Sequence, residues 1–176
     1  MNLLVIGGTK FIGRAVVERA VELGHEVAIF HRGETEPEDL VDVLHIHGDN
    51  LEIADCIDAI KSFEPDAVVD TTQGEAARTQ AVVDALTGVV DRYVLVSSID
   101  VYLAYGRLHL TEPGPHVAVP ITEESELRTL PGLGHTEEID NLYIEIVALA
   151  QNELPVTITR LRECSGLTTI SVVSEI

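Results

Sequence analysis

The chain has 176 residues, 45% apolar and 23% charged, which suits one globular core rather than a disordered chain. Thirty acidic residues against eleven basic ones give a net charge of −19, and lysine occurs only at Lys10 and Lys61, so a polyanionic nucleic-acid backbone meets repulsion and no basic patch. No run approaches the roughly eighteen apolar residues of a membrane span, Met1 leads straight into a strand-like segment, and Cys56 and Cys164 lack metal-like or disulfide spacing. The expectation is a cytoplasmic protein without nucleic-acid or membrane partners, its acidity a solubility or salt adaptation.

Residues 3–6 form an apolar run that predicts a first strand, broken by Gly7-Gly8-Thr9-Lys10-Phe11-Ile12-Gly13. Apolar residues return at helical spacing through Ala15, Val16, Ala20 and Leu23, and Gly24 stands where a helix C-cap belongs. A second strand over 26–30 ends in His31-Arg32-Gly33. Strand, glycine turn, helix and strand make a βαβ opening fitted to a nucleotide. Glycines let the backbone approach a pyrophosphate, whose charge meets the free N–H groups and positive end of the helix. Thr9, Lys10, Phe11 and Ile12 join Gly7, Gly8 and Gly13 as candidate cofactor contacts.

The alternation continues with strands over 43–47, 67–70 and 93–97 and helices over 51–63 and 75–86. Residues 103–134, with Pro113, Pro115, Pro120 and Pro131, read as an irregular lid-like segment above the sheet. A helix over 137–152, with Glu137 and Glu138 at its positive end, and a strand over 156–160 follow. Right-handed crossovers between such units give an α/β fold: a doubly wound parallel sheet, order 3-2-1-4-5-6, in a single Rossmann-type domain over residues 1–176. His45 and His47 share one face of the third strand, but no third ligand stands at useful spacing, so they read as surface histidines.

The end of the second strand selects the nucleotide. NAD sites commonly place an acid there for the ribose hydroxyls, whereas this chain has His31-Arg32. The planar fork of Arg32 suits a 2′-phosphate, which favours NADP, with NAD as the second choice and a solvated loop arginine as the other reading of Arg32. Asp49 with Asn50, Thr71 with Thr72, and Ser97 close the third, fourth and fifth strands beside the expected cofactor trough. Asp49 and the Asp70-Thr71-Thr72 stretch serve equally well as strand-end turn residues.

Gly-Gly-Thr-x-Phe-Ile-Gly over 7–13, then Gly24-His25-Glu26-Val27 and a strand ending in Arg32-Gly33, resembles the extended or atypical short-chain dehydrogenase/reductases. Within them the chain is most similar to the NAD-dependent epimerase/dehydratase group that includes the chloroplast stem-loop-binding-protein relatives. The likeness continues through His47-Gly48-Asp49, residues 66–71 and residues 92–102, while Lys10 replaces the usual middle glycine. It implies an NAD(P)-binding scaffold, an adenine contact at Asp49, and oxidoreductase or isomerase chemistry on a small metabolite. The RNA binding that those relatives suggest is opposed by the charge.

The family's catalysis uses a serine or threonine after the fifth strand and a Tyr-x-x-x-Lys pair. Ser98 matches the serine, because residues 98–102 reproduce Ser-x-x-Val-Tyr and end in Tyr102. No tyrosine is followed four residues later by lysine: Tyr143 has Val147 there, and a register set by residues 154–160 puts the pair at Glu137 and Asn141. A tyrosine without a neighbouring cation titrates near about 10 and is a poor base at pH 7. The expectation is an NAD(P)-binding, epimerase/dehydratase-like protein with reduced or altered machinery at Ser98 and Tyr102. A non-catalytic NADP(H)-sensing or subunit-interaction module, and a non-redox isomerase or cyclase, are the alternatives. His109, His116 and His135, with Glu112, Glu123 and Glu124, offer a different acid/base set in the lid-like segment. Residues 160–166 depart from the family's pattern, so no separate substrate lobe is expected, and residues 168–173 suit an edge strand pairing across a homodimer.

Overall fold

The computed structural model describes residues 1–72 and 74–162. Six parallel strands stand in the order β3-β2-β1-β4-β5-β6. They are β1 (Asn2–Ile6), β2 (Glu26–His31), β3 (Leu44–His47), β4 (Ala67–Asp70), β5 (Arg92–Ser98) and β6 (Val156–Leu161). This is the Rossmann-type order expected from the alternating pattern, with helices on both faces of the sheet. Strands buried on both faces must be apolar nearly throughout, and β1, β2 and β5 are. On one face Val5, Val27 and Ile29 pack with Val17 and Ala20 of α1 (Phe11–Glu22). On the other, Leu4, Ile6, Phe30, Val68 and Leu95 pack with residues of α3 (Ala76–Leu86) and α5 (Asn141–Leu149).

Helix α1 ends as the sequence predicts. Gly24, at φ +82°, donates its N–H to Val21 O at 2.9 Å while His25 N–H reaches Ala20 O at 3.1 Å, which satisfies two of the helix's last carbonyls. The β2–β3 register sets Ile29 opposite His45 and His31 opposite His47, so the His45/His47 pair is joined by a third histidine that linear spacing does not reveal.

Three elements differ from expectation. The helix predicted over 51–63 splits into a 3-10 segment, Asn50–Cys56, and α2 (Ile57–Phe63), because the Asp49 carboxylate accepts Leu51 N–H at 2.9 Å and starts a tighter turn. The helix predicted over 137–152 is only Asn141–Leu149. Asp140 is its N-cap, accepting Leu142 N–H at 2.9 Å, so Glu137 and Glu138 precede the helix and do not meet its dipole. The lid-like segment opens with the short helix α4 (Leu103–Leu108) and is tied down further along. The strand expected over 168–173 lies outside the described residues. Among the described residues no helix is long and apolar enough to cross a membrane.

The tie is Arg128. Its guanidinium forms a bidentate pair with Asp140, the closest contact 2.9 Å, and both side chains are fully buried. It also donates to the carbonyls of Asp100 at 2.5 Å and Leu130 at 2.7 Å. Burial pushes the Asp140 carboxyl upward, but Arg128 and the amides of Gly132 and Leu142 outweigh it and hold the group below the usual aspartate value. A folded value below the unfolded one adds stability above the unfolded pKa that is lost as pH falls through the folded value. Arg128→Met leaves the Asp140 charge buried without its cation and should cost about 3–5 kcal/mol. A urea titration at neutral pH checks this through a lower midpoint at unchanged slope, and the gap to wild type should narrow as pH falls, because burial without the cation raises the Asp140 carboxyl and its protonation removes the uncompensated charge.

Candidate functional site

The end of β1 carries a close approach of strand and helix backbone. Gly7, at φ +85°, donates its N–H to Phe30 O at 3.0 Å, and the Thr71 hydroxyl reaches Ile6 O at 2.9 Å and Gly7 O at 3.3 Å. A Cβ on Gly13 would lie 2.2 Å from Gly7 O and 2.7 Å from Thr71 Oγ1, so only glycine allows α1 to start this close to β1. Gly8 matters for packing instead, since a Cβ there would meet Ile29 at 2.5 Å and Val17 at 2.8 Å, and its absence seats α1 on the sheet. Lys10 is the N-cap of α1 but makes no side-chain cap, so the amides of the first turn are left for solvent or a ligand.

These features border a cavity of about 640 Å³ at the C-terminal ends of β1, β2 and β4. Gly7, Thr9, Lys10, Phe11, Ile12 and Gly13 form its floor, with His31, Arg32, Asn50, Thr71 and Thr72 on its walls. Gly8, Asp49, Ser97, Ser98 and Tyr102 do not line it. The wall is hydrogen-bonded throughout: Asn50 donates to Thr72 Oγ1 at 2.8 Å, and Thr72 donates through N–H and hydroxyl to Asp70 Oδ1 at 2.9 and 2.6 Å. The Tyr93 hydroxyl donates to the other oxygen of Asp70 at 2.9 Å, and burial raises the Asp70 carboxyl above its usual value.

Two cations stand at the mouth. Arg32 is exposed and pairs with Glu34 at 3.2 Å. Arg78, in the first turn of α3, is held by Asp49 at 2.6 Å. Leu51 N–H, with the Arg78 guanidinium, keeps the Asp49 carboxyl below its usual value despite some desolvation. Asp49 therefore acts through Arg78, a residue that sequence reasoning missed. The available signal was a lone arginine in the turn that opens the helix after β4.

The residues expected to do chemistry are engaged elsewhere. Ser98 Oγ accepts Asp100 N–H at 3.3 Å and caps the turn over Ile99–Val101. The buried Tyr102 hydroxyl accepts from Arg160 at 3.2 Å, and the guanidinium carbon lies 5.0 Å from the ring centroid. Arg160 pairs with the buried Glu145 at 2.7 Å, and Ser97 Oγ donates to Glu145 at 2.5 Å. On α5 the inward side chains four residues apart are Asn141, which donates to Asp100 at 3.1 Å, and Glu145. Tyr143 donates to Glu137 at 3.3 Å. Neither register yields a tyrosine with a lysine one turn on.

A second cavity, about 250 Å³, is lined by Asp100, Tyr105, His109 and His135. Burial raises the Asp100 carboxyl. His109 packs on Tyr105 at 4.3 Å between centroids, and His135 Nδ1 lies 3.3 Å from Asp140. The rest of that acid/base set is not gathered there: Glu112 accepts the amides of Thr129 and Leu130, while His116, Glu123 and Glu124 are exposed.

Residues 7–125 match the NAD(P)H-binding family. The chloroplast stem-loop binding protein of 41 kDa b from Arabidopsis thaliana is 29% identical over 115 residues, covering 58% of this chain and 30% of that protein. The solved structure of the Bordetella bronchiseptica enzyme WbmG with NAD superposes with a TM-score of 0.68 at 22% identity, covering 91% of this chain and 52% of that one. A dTDP-glucose 4,6-dehydratase from Bacillus anthracis with NAD gives 0.69 at 20% identity, covering 91% and 54%. At these identities the likeness is one of fold. The chain spans about half the length of the solved structures and under a third of the curated relative.

The Arg160 cluster separates two mutational costs. Arg160→Leu strands the Glu145 carboxylate in the interior and should cost about 3–5 kcal/mol. Tyr102→Phe keeps the ring and removes one hydrogen bond, for about 1.5 kcal/mol or less. Chemical denaturation of both variants checks the ranking.

Proposed function

Because the chain belongs to the NAD(P)H-binding family, we propose that it takes up NADP(H) in the 640 Å³ cavity, with the pyrophosphate on the turn from Gly7 to Gly13. The observation that carries this reading is the close approach at Gly13, where a Cβ would collide with Gly7 O at 2.2 Å, so that glycine alone lets the start of α1, with its free amides, sit against the turn that floors the cavity. The donor chemistry fits the group: free first-turn amides, Lys10 at the N-cap, and Arg32 and Arg78 where a 2′-phosphate calls for cations. Glu34 is the competitor, because the phosphate must displace it from Arg32.

When bound, the nicotinamide supplies a hydride donor or acceptor. Thr71 and Thr72 orient the turn and wall, and Asp49 holds Arg78 toward the cavity. The catalytic part of the reading is epimerase/dehydratase-like chemistry on a small metabolite with altered machinery, since no lysine stands beside Tyr102 and its hydroxyl is committed to Arg160. That same commitment favours a second reading, a non-catalytic module that senses NADP(H).

Calorimetric titration with NADPH and then NADH tests the proposal. Micromolar NADPH binding is expected, Gly13→Val should abolish it, and unchanged affinity in that variant would put the nucleotide elsewhere. Arg32→Ala should weaken NADPH about tenfold and NADH little, in keeping with the loss of roughly one charge-assisted contact at an exposed site. Equal loss of both removes the case for the phosphorylated cofactor. Tight binding without turnover of any carbonyl or nucleotide-sugar substrate favours the sensing module.

A further inference from the structure

We propose that His31, Glu36, His45 and His47 form a site for one divalent transition-metal ion of the zinc class, between the end of the sheet and the β2–β3 connection. Among the described residues this is the group of histidine and carboxylate side chains whose donor atoms converge, all lying within 4.8 Å of one another. The proposal does not rest on the nucleotide reading, although His31 is shared with the wall of that cavity.

The backbone explains the convergence. In a parallel pair, residues directly opposite and residues two apart on one strand project from the same face, and the register places His31 opposite His47 with His45 two residues before it. The three imidazoles are thus fixed by strands, not by mobile loop side chains, and their rings pack edge to face at 4.8, 5.0 and 6.1 Å. Glu36, from the connection, completes the set. Its Oε1 lies 2.7 Å from His47 Nε2 and 3.6 Å from both His31 Nε2 and His45 Nδ1, while His31 Nε2 and His45 Nδ1 are 3.1 Å apart. Four ligands at about 2.0–2.1 Å around a tetrahedral zinc stand about 3.3–3.4 Å from each other. Three of these separations need change by only a few tenths of an ångström, the 2.7 Å contact must open by about 0.6 Å, and the widest spread in the group, up to 4.8 Å, must close by more than about 1 Å through rotation of the exposed His47.

The donor set narrows the ion. Three neutral imidazoles and one carboxylate suit zinc, cobalt, nickel or copper and are poor ligands for magnesium or calcium. Access is open on one side, since His31 is buried at 7% side-chain exposure while His47 and Glu36 stand at 55% and 43%. One hydrogen bond must yield. Gly33 N–H donates to His31 Nδ1 at 3.2 Å, so the proton of neutral His31 sits on Nε2. Coordination through Nε2 shifts that proton to Nδ1 and turns the Gly33 amide away, a rearrangement confined to the turn after β2. The ion then ties the connection carrying Glu36 to the sheet edge.

The test uses tag-free, chelator-treated protein titrated with zinc chloride by calorimetry and with cobalt(II) by visible absorption. One ion per chain and the intense ligand-field bands of tetrahedral cobalt are expected, with no competition from magnesium. Glu36→Gln and His47→Ala remove exposed ligands and leave the core intact, so each should weaken zinc at least about 100-fold, beyond the 10–100-fold typical of a lost outer-shell partner. Circular dichroism and the urea midpoint of the metal-free variants should match wild type. Absence of binding, octahedral cobalt spectra, or equal affinity in wild type and both variants overturns the site.

Discussion

Everything at the nucleotide end of the molecule depends on how closely α1 can begin to the end of β1. The missing Cβ at Gly13 lets the helix approach the Gly7 carbonyl, a gap that any other residue would fill at 2.2 Å. The Thr71 hydroxyl closes the arrangement from β4 by binding the Ile6 and Gly7 carbonyls, so three strand and helix ends meet around one peptide. Gly8 presses α1 against Ile29 from behind. Lys10 is accommodated at this turn because its backbone is extended, at φ −141° and ψ 157°, and the residue is exposed along the cavity. A residue in that conformation has no need of glycine's freedom.

The other half of the C-terminal edge obeys a different constraint, the neutralisation of buried charge. Glu145 is 2% exposed and takes both a guanidinium and a serine hydroxyl, and Asp140 is fully buried against Arg128. Leaving either carboxylate alone would cost several kcal/mol, so the polar groups of β5, α5 and β6 are committed to each other. Ser97 and Tyr102 belong to this network, and their distance from the cavity lining follows from it. The reading of altered rather than ordinary dehydrogenase chemistry thus rests on what these groups already hold.

Local signals carried the fold. Strand order, the glycine turn and the Gly24 cap follow from periodicity and single residues, each acting within a few positions along the chain. Long-range partners decided the rest. The start of α5 moved to Asn141 because Arg128, twelve residues before Asp140, fixes that capping carboxylate. Arg78 reaches the cavity because Asp49, twenty-nine residues away, anchors it. His45 and His47 acquired His31 and Glu36 through a strand register and a connection that spacing along one strand cannot encode.

A net charge of −19 opposes an anionic dinucleotide at long range, but the balance at contact distance is different. At physiological salt the field of distant carboxylates decays over about 8 Å, whereas a phosphate in the cavity meets its neighbours directly. Among the described lining residues those neighbours are Lys10, Arg32 and Arg78 against the single acid Glu34. Three cations lining one cavity, in a chain that has only eleven, outweigh at contact distance what the whole surface opposes at long range. The same surface acts with the opposite sign on a divalent cation: it raises the local concentration of metal ions around the His31, Glu36, His45 and His47 cluster, where imidazoles rather than charge determine which ion stays.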